Sequence, residues 1–222
     1  MSFNSNTLSA HSSALAPRGH RQKHLGDKGL IGLIAFLSAF VPLIDSLLTG
    51  EYDVAIAGGG LVGASLALAL APLGLRIALV EAVAPGTGEH PSFDERTTAL
   101  ANGSVRVFRS LGVWRHMERE ATPISRIHVS DQGRFGTARI DAAEQGLESL
   151  GCVIPNRAIG AALQQGLAAC PAVETIAPAR VKGSETADGW RRLRFETGGT
   201  ERQIAARLVV AADGARSLVR EQ

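Results

Sequence analysis

A glycine-rich turn between an apolar strand and a helix constrains the fold of this chain most strongly. Residues 52–57 form a short apolar run that predicts a buried strand, and residues 64–73 predict a helix. The intervening turn has glycine at all three positions of the pattern G-x-G-x-x-G: Gly58, Gly60 and Gly63. In such a turn the first glycine allows the tight bend, the second lets a pyrophosphate approach the backbone, and the third lets helix and strand pack closely. The pattern therefore predicts a dinucleotide at the helix N-terminus, where unpaired N–H groups favour phosphate.

A second predicted strand supports this interpretation. Residues 75–80 are mostly apolar and are followed by Glu81, about 20 residues after the glycines, where a carboxylate can accept a hydrogen bond from a ribose hydroxyl. An ordinary glycine-rich turn of an α/β fold is the alternative, but strand, helix, second strand and acid are all in place. The pattern leaves open whether the dinucleotide is NAD or FAD.

The composition fits one large domain, or one domain with an appendage. The chain has 222 residues, of which 45% are hydrophobic, and a net charge of +2. Basic and acidic residues are interspersed, so we expect no nucleic-acid partner, which would need a clustered basic face. The two cysteines, Cys152 and Cys170, match no metal-binding spacing, and we expect no metal and no disulfide.

The first fifty residues differ from the rest. Residues 1–28 are polar and basic, and Gly29–Ile44 is an uncharged apolar block that is shorter than the roughly 20 residues of a membrane-spanning helix. The block fits a membrane-surface helix, a true anchor, or sequence upstream of the natural protein, and we favour the last. We therefore expect residues 1–50 to be an extension and residues 51–222 to be the domain.

The body of the domain mixes helices and strands, which predicts a Rossmann-like core with a β-rich insertion. Asn156 is the predicted N-cap of the helix that we expect at 156–167. The predicted elements are helices at 102–111 and 156–167, a hairpin of 127–130 with 137–140, and strands at 181–183, 191–195 and 203–211.

The segment Leu208–Arg220 carries a family resemblance. Its apolar strand runs into Asp213 and Gly214 and continues as D-G-x-x-S-x-x-R, a pattern that resembles the flavoprotein aromatic hydroxylases. The segment F-D-E-R-T-T-A-L is similar to a family segment whose arginine lies against FAD, which here is Arg96. The segment V-I-P-N-R-A-I-G is similar to a further FAD-contacting helix start, which places Arg157 on the cofactor. From chemistry alone both arginines also fit solvent-exposed positions, and Asp94 and Glu95 next to Arg96 fit local charge partners rather than a catalytic carboxylate pair.

Within this family the chain is most similar to the ubiquinone-biosynthesis hydroxylases, on the segments S-L-G-V-W and I-H-V-S-D-Q-G. The resemblance implies a monooxygenase that uses FAD, NAD(P)H and O2, through a flavin hydroperoxide, to hydroxylate a polyprenylated phenol. The glycines would hold the pyrophosphate, Glu81 the adenosine ribose, and Arg96, Arg157 and Asp213 other FAD oxygens. No residue is assigned to catalysis. We expect a cytoplasmic protein. The lipid-tailed substrate that the resemblance implies would suit a peripheral position at the inner membrane face, and contact with other enzymes of the pathway is a further expectation.

Members of this family continue well beyond the D-G pattern, so we expect the fold to be incomplete at the C-terminus. Three other functions stay open. They are another FAD enzyme of the same fold, such as a prenyl reductase or a hydroxylase of soluble aromatics; an NAD-dependent dehydrogenase, which the D-G segment disfavours; and a non-catalytic FAD-binding fragment.

Overall fold

The computed structural model describes residues 51–87, 90–133 and 135–221. The apolar block Gly29–Ile44 and the expectation for residues 1–50 lie outside the described residues. The helices are α1 (Leu61–Leu70), α2 (Asn102–Ser110) and α3 (Asn156–Ala168), with 3-10 turns at Ala71–Leu73, Trp114–His116, Glu118–Glu120 and Ala143–Gln145. The strands are β1 (Glu51–Ala57), β2 (Ile77–Val80), β3 (Thr97–Ala101), β4 (Thr122–Ile124), β5 (Arg126–Ser130), β6 (Thr137–Asp141), β7 (Gly151–Pro155), β8 (Val173–Ile176), β9 (Arg180–Ala187), β10 (Trp190–Thr197) and β11 (Thr200–Ala211).

A six-stranded sheet in the order β8-β2-β1-β11-β10-β9 forms the centre of the fold. Four of its strands, β8, β2, β1 and β11, run parallel. All four residues of β2 are buried, as are four consecutive residues of β1, Val54–Ala57. Such continuous apolar runs are typical of parallel strands covered on both faces, which is why the sequence pattern identified β1 and β2.

The remaining strands of the sheet, toward the β9 edge, form an antiparallel meander. β9, β10 and β11 follow one another in the chain and pair as neighbours, and β11 is 12 residues long. The first half of β11 pairs with β10 and its second half with β1, so β11 joins the meander to the parallel strands.

The segment between β2 and β8 contains two smaller antiparallel sheets, β3-β7-β4 and β5-β6. This confirms the predicted Rossmann-like core with a β-rich insertion and the predicted hairpin. The hairpin is solvent-exposed on both faces. The apolar side chains of Ile127, Val129 and Ile140 are exposed, and Phe135 in its turn is fully exposed.

Helices α1 and α3 pack together over the sheet. Ala64 and Leu68 of α1 share a buried cluster with Ile159 and Leu163 of α3 and with Ile154 of β7. Apolar side chains from these elements exclude water from one face of the parallel strands, and this burial is the main stabilising contribution to such a layer. No helix among the described residues is long and apolar enough to cross a membrane.

The predicted N-cap was wrong. The residue in the N-cap position of α3 is Pro155, and Asn156 is the first helical residue. The Asn156 side chain instead accepts a hydrogen bond from the Thr98 hydroxyl at 2.6 Å and donates one to Asp94. A tertiary contact between β3 and α3 therefore takes the place of local capping.

Candidate functional site

The carboxyl ends of three parallel strands meet at one edge of the central sheet. Ala57 at the end of β1 is in register with Val80 of β2 and with Ala211 of β11. The Gly58 N–H donates to the Val80 carbonyl at 2.8 Å, and the Ala212 N–H donates to the Ala57 carbonyl at 2.8 Å. The glycine turn after β1, Glu81 after β2 and Asp213 after β11 therefore lie side by side, where open α/β sheets bind ligands.

The structure requires glycine at the three positions of the turn to different degrees. Gly58 has φ +99°, and a Cβ on it would lie 2.4 Å from the Ala212 carbonyl oxygen. A Cβ on Gly63 would lie 1.9 Å from the Gly58 carbonyl oxygen, so α1 can approach the turn only if residue 63 is glycine. A Cβ on Gly60 would have its nearest neighbour at 3.6 Å, which is ordinary contact. The protein itself thus requires Gly58 and Gly63, whereas Gly60 leaves space for a ligand.

The N-terminus of α1 opens onto this space. Gly60 is its N-cap, no side chain caps the helix, and no acidic residue stands in its first turn. The first N–H groups of a helix have no intrahelical partner and carry the positive end of the helix dipole. This end of α1 is therefore suited to a phosphate.

Glu81 is held in a fixed position beside the turn. Its side chain is 14% exposed. Its Oε2 accepts the Gly59 N–H at 2.5 Å, and its Oε1 accepts the Val83 N–H at 2.8 Å. Burial acts to raise the pKa of Glu81, but hydrogen bonds from His90 and from the two backbone N–H groups outweigh it, so the pKa lies below its usual value. Glu81 is therefore a carboxylate at neutral pH and can accept a hydroxyl hydrogen bond.

Asp213 has one oxygen in use and one without a partner. Its Oδ2 accepts the Leu218 N–H at 3.0 Å, and its Oδ1 is buried with no hydrogen-bond partner among the described residues. An unsatisfied buried acceptor destabilises the fold by about 1–3 kcal/mol, so a ligand hydroxyl or N–H that reached Oδ1 would remove this cost.

A cavity of about 330 Å³ lies between these groups. It is lined by the turn, by Glu81 and Asp213, and by three side chains that the sequence did not single out, His90, Arg180 and Arg216. His90 stands in a Pro- and Gly-rich loop where no periodic pattern marks a site.

Arg96 and Arg157 do not line this cavity. The Arg96 side chain is 75% exposed and pairs with Asp94, and Arg157 pairs with Glu95 and Glu120. Asp94 is thus the charge partner of Arg96, as predicted, whereas Glu95 pairs with Arg157 instead. The structure brings the two segments together, because the Asn156 N–H donates to the Arg96 carbonyl at 2.8 Å.

The residues present fit a dinucleotide. An uncapped helix end, an open glycine, an ionised carboxylate and an orphaned buried acceptor are the groups that phosphate and ribose hydroxyls require. The volume is at the lower end of small-molecule sites, which are about 300–1,000 Å³. Among the described residues no cluster of three or more His, Cys, Asp or Glu side chains is suited to a metal.

Comparison with known proteins gives the family. Residues 51–222 match the family described as "FAD binding domain". The chain is 36% identical over 170 residues to the ubiquinone hydroxylase UbiL of Rhodospirillum rubrum, covering 76% of this chain and 38% of that protein. It is 34% identical over 173 residues to the 3-demethoxyubiquinol 3-hydroxylase of Escherichia coli, covering 76% and 43%. The chain thus spans about two fifths of the length of these relatives.

Solved structures agree on the fold. The flavin-dependent monooxygenase PieE, in complex with FAD and substrate, superposes with a TM-score of 0.62 at 24% identity, covering 78% of this chain and 32% of that one. The p-nitrophenol 4-monooxygenase PnpA of Pseudomonas putida gives 0.62 at 23% identity, covering 76% and 42%. These similarities confirm the Rossmann-like class. The family match decides between NAD and FAD in favour of FAD. The chain belongs to the FAD binding domain family, with sequence similarity to the hydroxylases of ubiquinone biosynthesis.

Proposed function

We propose that this chain is the FAD-binding part of a monooxygenase that hydroxylates a polyprenylated phenol in ubiquinone biosynthesis, using NAD(P)H and O2. The observation that carries the proposal is the cavity at the sheet edge. There the N-terminus of α1, Glu81 and Asp213 lie together, and Asp213 Oδ1 has no hydrogen-bond partner among the residues that the structure describes. The similarity to ubiquinone hydroxylases supports the reaction class.

Each group of the cavity has a role toward FAD. The open position at Gly60 and the first turn of α1 would take the pyrophosphate, and Gly58 and Gly63 keep the turn and the helix in place. Glu81 would accept a hydrogen bond from the adenosine ribose, and Asp213 Oδ1 one from another FAD hydroxyl. When bound, FAD supplies the redox chemistry between NAD(P)H and O2, and the protein orients it and limits its contact with water.

Arg96 and Arg157 are proposed as further FAD contacts. Their present carboxylate partners are exposed to differing degrees: Asp94 is 35%, Glu120 41% and Glu95 80% exposed. Exposed ion pairs stabilise a fold only weakly, so a flavin oxygen or phosphate can compete for either guanidinium.

The substrate class follows from the relatives. The similar proteins are named as ubiquinone or demethoxyubiquinol hydroxylases. We therefore propose a phenol with a polyprenyl tail as the substrate, a peripheral position at the inner membrane face, and contact with other enzymes of the same pathway.

Titration of the 222-residue chain with FAD tests the binding step, with flavin fluorescence as the readout and ADP and NAD as competitors. We expect FAD to bind and ADP to compete more strongly than NAD. The reaction is tested by incubating the FAD-loaded chain with NADPH or NADH and a short-tailed prenylphenol, with mass spectrometry of the product. A gain of one oxygen atom supports the proposal. A reduced prenyl chain would favour a prenyl reductase, binding without turnover would restrict the function to FAD binding, and absence of FAD binding would refute the proposal.

A further inference from the structure

The cavity contains a buried histidine to which the proposed function gives no role. His90 is 9% exposed, and a Cβ on Gly60 would lie 3.6 Å from its Cε1 atom. Its imidazole therefore forms a wall of the cavity next to the N-terminus of α1. A buried histidine at this position needs partners for both ring nitrogens.

The hydrogen bonds of the imidazole define which nitrogen carries the proton. The Ser92 N–H donates to His90 Nδ1 at 3.1 Å, so Nδ1 is an acceptor and Nε2 bears the hydrogen. Nε2 lies 3.5 Å from Glu81 Oε2. The hydrogen-bearing nitrogen thus lies near the carboxylate, at the outer limit of hydrogen-bond distance, which a small movement on ligand binding can shorten.

The Phe93 side chain supports one face of the imidazole. The Phe93 ring stacks on it with centroids 4.0 Å apart and planes 17° apart. Phe93 in turn occupies space that exists only because residue 160 of α3 is glycine: a Cβ there would lie 2.3 Å from Phe93 Cγ. Direct contacts therefore connect α3 to Phe93, His90 and Glu81.

The number of hydrogen-bond donors around Glu81 indicates how His90 can orient the carboxylate. A carboxylate has about four lone-pair sites. The Gly59 and Val83 N–H groups use two, and His90 Nε2 faces a third, which leaves about one for a ligand. Three donors on known sides fix the carboxylate plane, so the remaining site has a defined direction.

We propose that His90 is a positioning residue of the FAD site, which holds the Glu81 carboxylate in the orientation that accepts the adenosine ribose. This inference rests on the proposed FAD binding. It predicts that His90 acts through Glu81 and on the adenosine half of the cofactor. FAD and ADP contain that half and FMN lacks it, so the two kinds of ligand separate this role from general folding.

Two variants separate the contribution of the His90 N–H donor from that of the aromatic ring. His90→Phe keeps the aromatic stack on Phe93 and removes the donor. His90→Gln removes the ring but places an amide N–H near the position of Nε2. His116→Phe is the matched control, because His116 is exposed and does not line the cavity. Circular dichroism and thermal unfolding check that each variant is folded.

The affinities of the full chain for FAD, ADP and FMN are measured for each variant by fluorescence and calorimetry. Removing a weak hydrogen bond to a charged group costs about 1 kcal/mol, so we expect His90→Phe to weaken FAD and ADP about fivefold and to leave FMN unchanged. His90→Gln should retain most of the affinity, and His116→Phe all of it. In a Glu81→Gln background, His90→Phe should add little further loss.

The pH dependence gives a second readout. Among the described residues, the other charged or titratable groups that line the cavity with His90 and Glu81 are Arg180, Asp213 and Arg216. In His90→Phe the carboxylate loses a donor while its burial remains, so FAD binding should fail at a higher pH on the acid side than in the unaltered chain.

The outcomes distinguish this inference from the proposed function. If the unaltered chain binds neither FAD nor ADP, the proposed function fails and this inference fails with it. If the chain binds FAD and His90→Phe binds as tightly, only the role of His90 is refuted. Equal losses in the native and Glu81→Gln backgrounds, or a loss with Gln as large as with Phe, also refute it, because His90 would then act through packing.

Discussion

Replacing glycines of the nucleotide-binding turn by alanine should have different effects: Gly63→Ala should lower stability, and Gly60→Ala should lower FAD affinity. In Gly63→Ala the new methyl group would lie 1.9 Å from the Gly58 carbonyl oxygen, far inside van der Waals contact, so α1 must move away from β1. Overpacking of this kind costs about 1–3 kcal/mol, and we take the upper end because the obstacle is backbone. Alanine recovers about 0.5–1 kcal/mol of helix propensity, which leaves a net loss of about 2 kcal/mol.

Gly60→Ala should behave differently. Its methyl group would meet nothing closer than 3.6 Å, and the backbone there has negative φ, so the fold can accept it. The same methyl group would occupy the space into which a pyrophosphate must move. We therefore expect thermal stability within about 0.5 kcal/mol of the unaltered chain, as for most substitutions without a steric conflict, together with a large loss of FAD affinity.

Thermal and urea unfolding monitored by circular dichroism would measure both effects. A loss of about 2 kcal/mol lowers Tm by about 4–8 °C in a domain of this size. Gly103→Ala is the matched control, because Gly103 lies in α2 and an added Cβ has no neighbour within 4 Å. It should raise stability by about 0.5–1 kcal/mol. A Gly63→Ala chain as stable as the Gly103→Ala chain would refute the steric argument, and unchanged FAD affinity in Gly60→Ala would refute the assignment of the open space.

Three further outcomes can be checked with the same preparations. Asp213→Asn should lower FAD affinity about tenfold with little loss of stability, because Oδ1 has no hydrogen-bond partner to lose in the part of the chain that the structure describes. Fluorescence titration measures the affinity and urea unfolding measures the stability. The folded-state pKa of Glu81 lies below its ordinary 4.5, so Glu81 stabilises the fold at neutral pH and loses this contribution as the pH falls through the folded pKa. In urea titrations, the difference in unfolding free energy between the unaltered chain and Glu81→Gln should therefore become smaller as the pH is lowered. Phe135→Ser should reduce light scattering at high protein concentration and leave Tm unchanged, because the Phe135 side chain is fully exposed.

The parts of the fold that the sequence predicted are those with a strong local pattern. β1, the glycine turn, α1 and β2 were predicted because buried parallel strands are continuously apolar and the glycine spacing is specific. β3 and β7 were missed. β3 is only partly buried, and the Pro155-Asn156 pair at the end of β7 is typical of a helix start rather than of a strand. Pairing between distant segments, rather than local propensity, makes these strands.

The same distinction applies to the site. Glu81 was predicted from its place after an apolar strand, about 20 residues past the glycine turn. Asp213 was predicted from the resemblance of the D-G-x-x-S-x-x-R segment, which follows another apolar strand. His90 was not predicted, because its role depends on a ring stack with Phe93 and on the position of α3, and neither leaves a periodic trace in the sequence. Arg96 and Arg157 remain predictions, since in this structure their guanidinium groups contact carboxylates.

The pairing of β11 determines which parts of the domain can be lengthened. Asp213 reaches the cavity because Ala211 is in register with Ala57, and a one-residue insertion in the second half of β11 would turn Asp213 away from it. The Gly198-Gly199 turn between β10 and β11 lies at the opposite end of β11, and an added Cβ at either glycine has no neighbour within 4 Å. An affinity tag or a fluorescent reporter inserted at this turn would leave the register of β11 with β1 intact, which makes it a practical position for labelling the protein without disturbing its cofactor site.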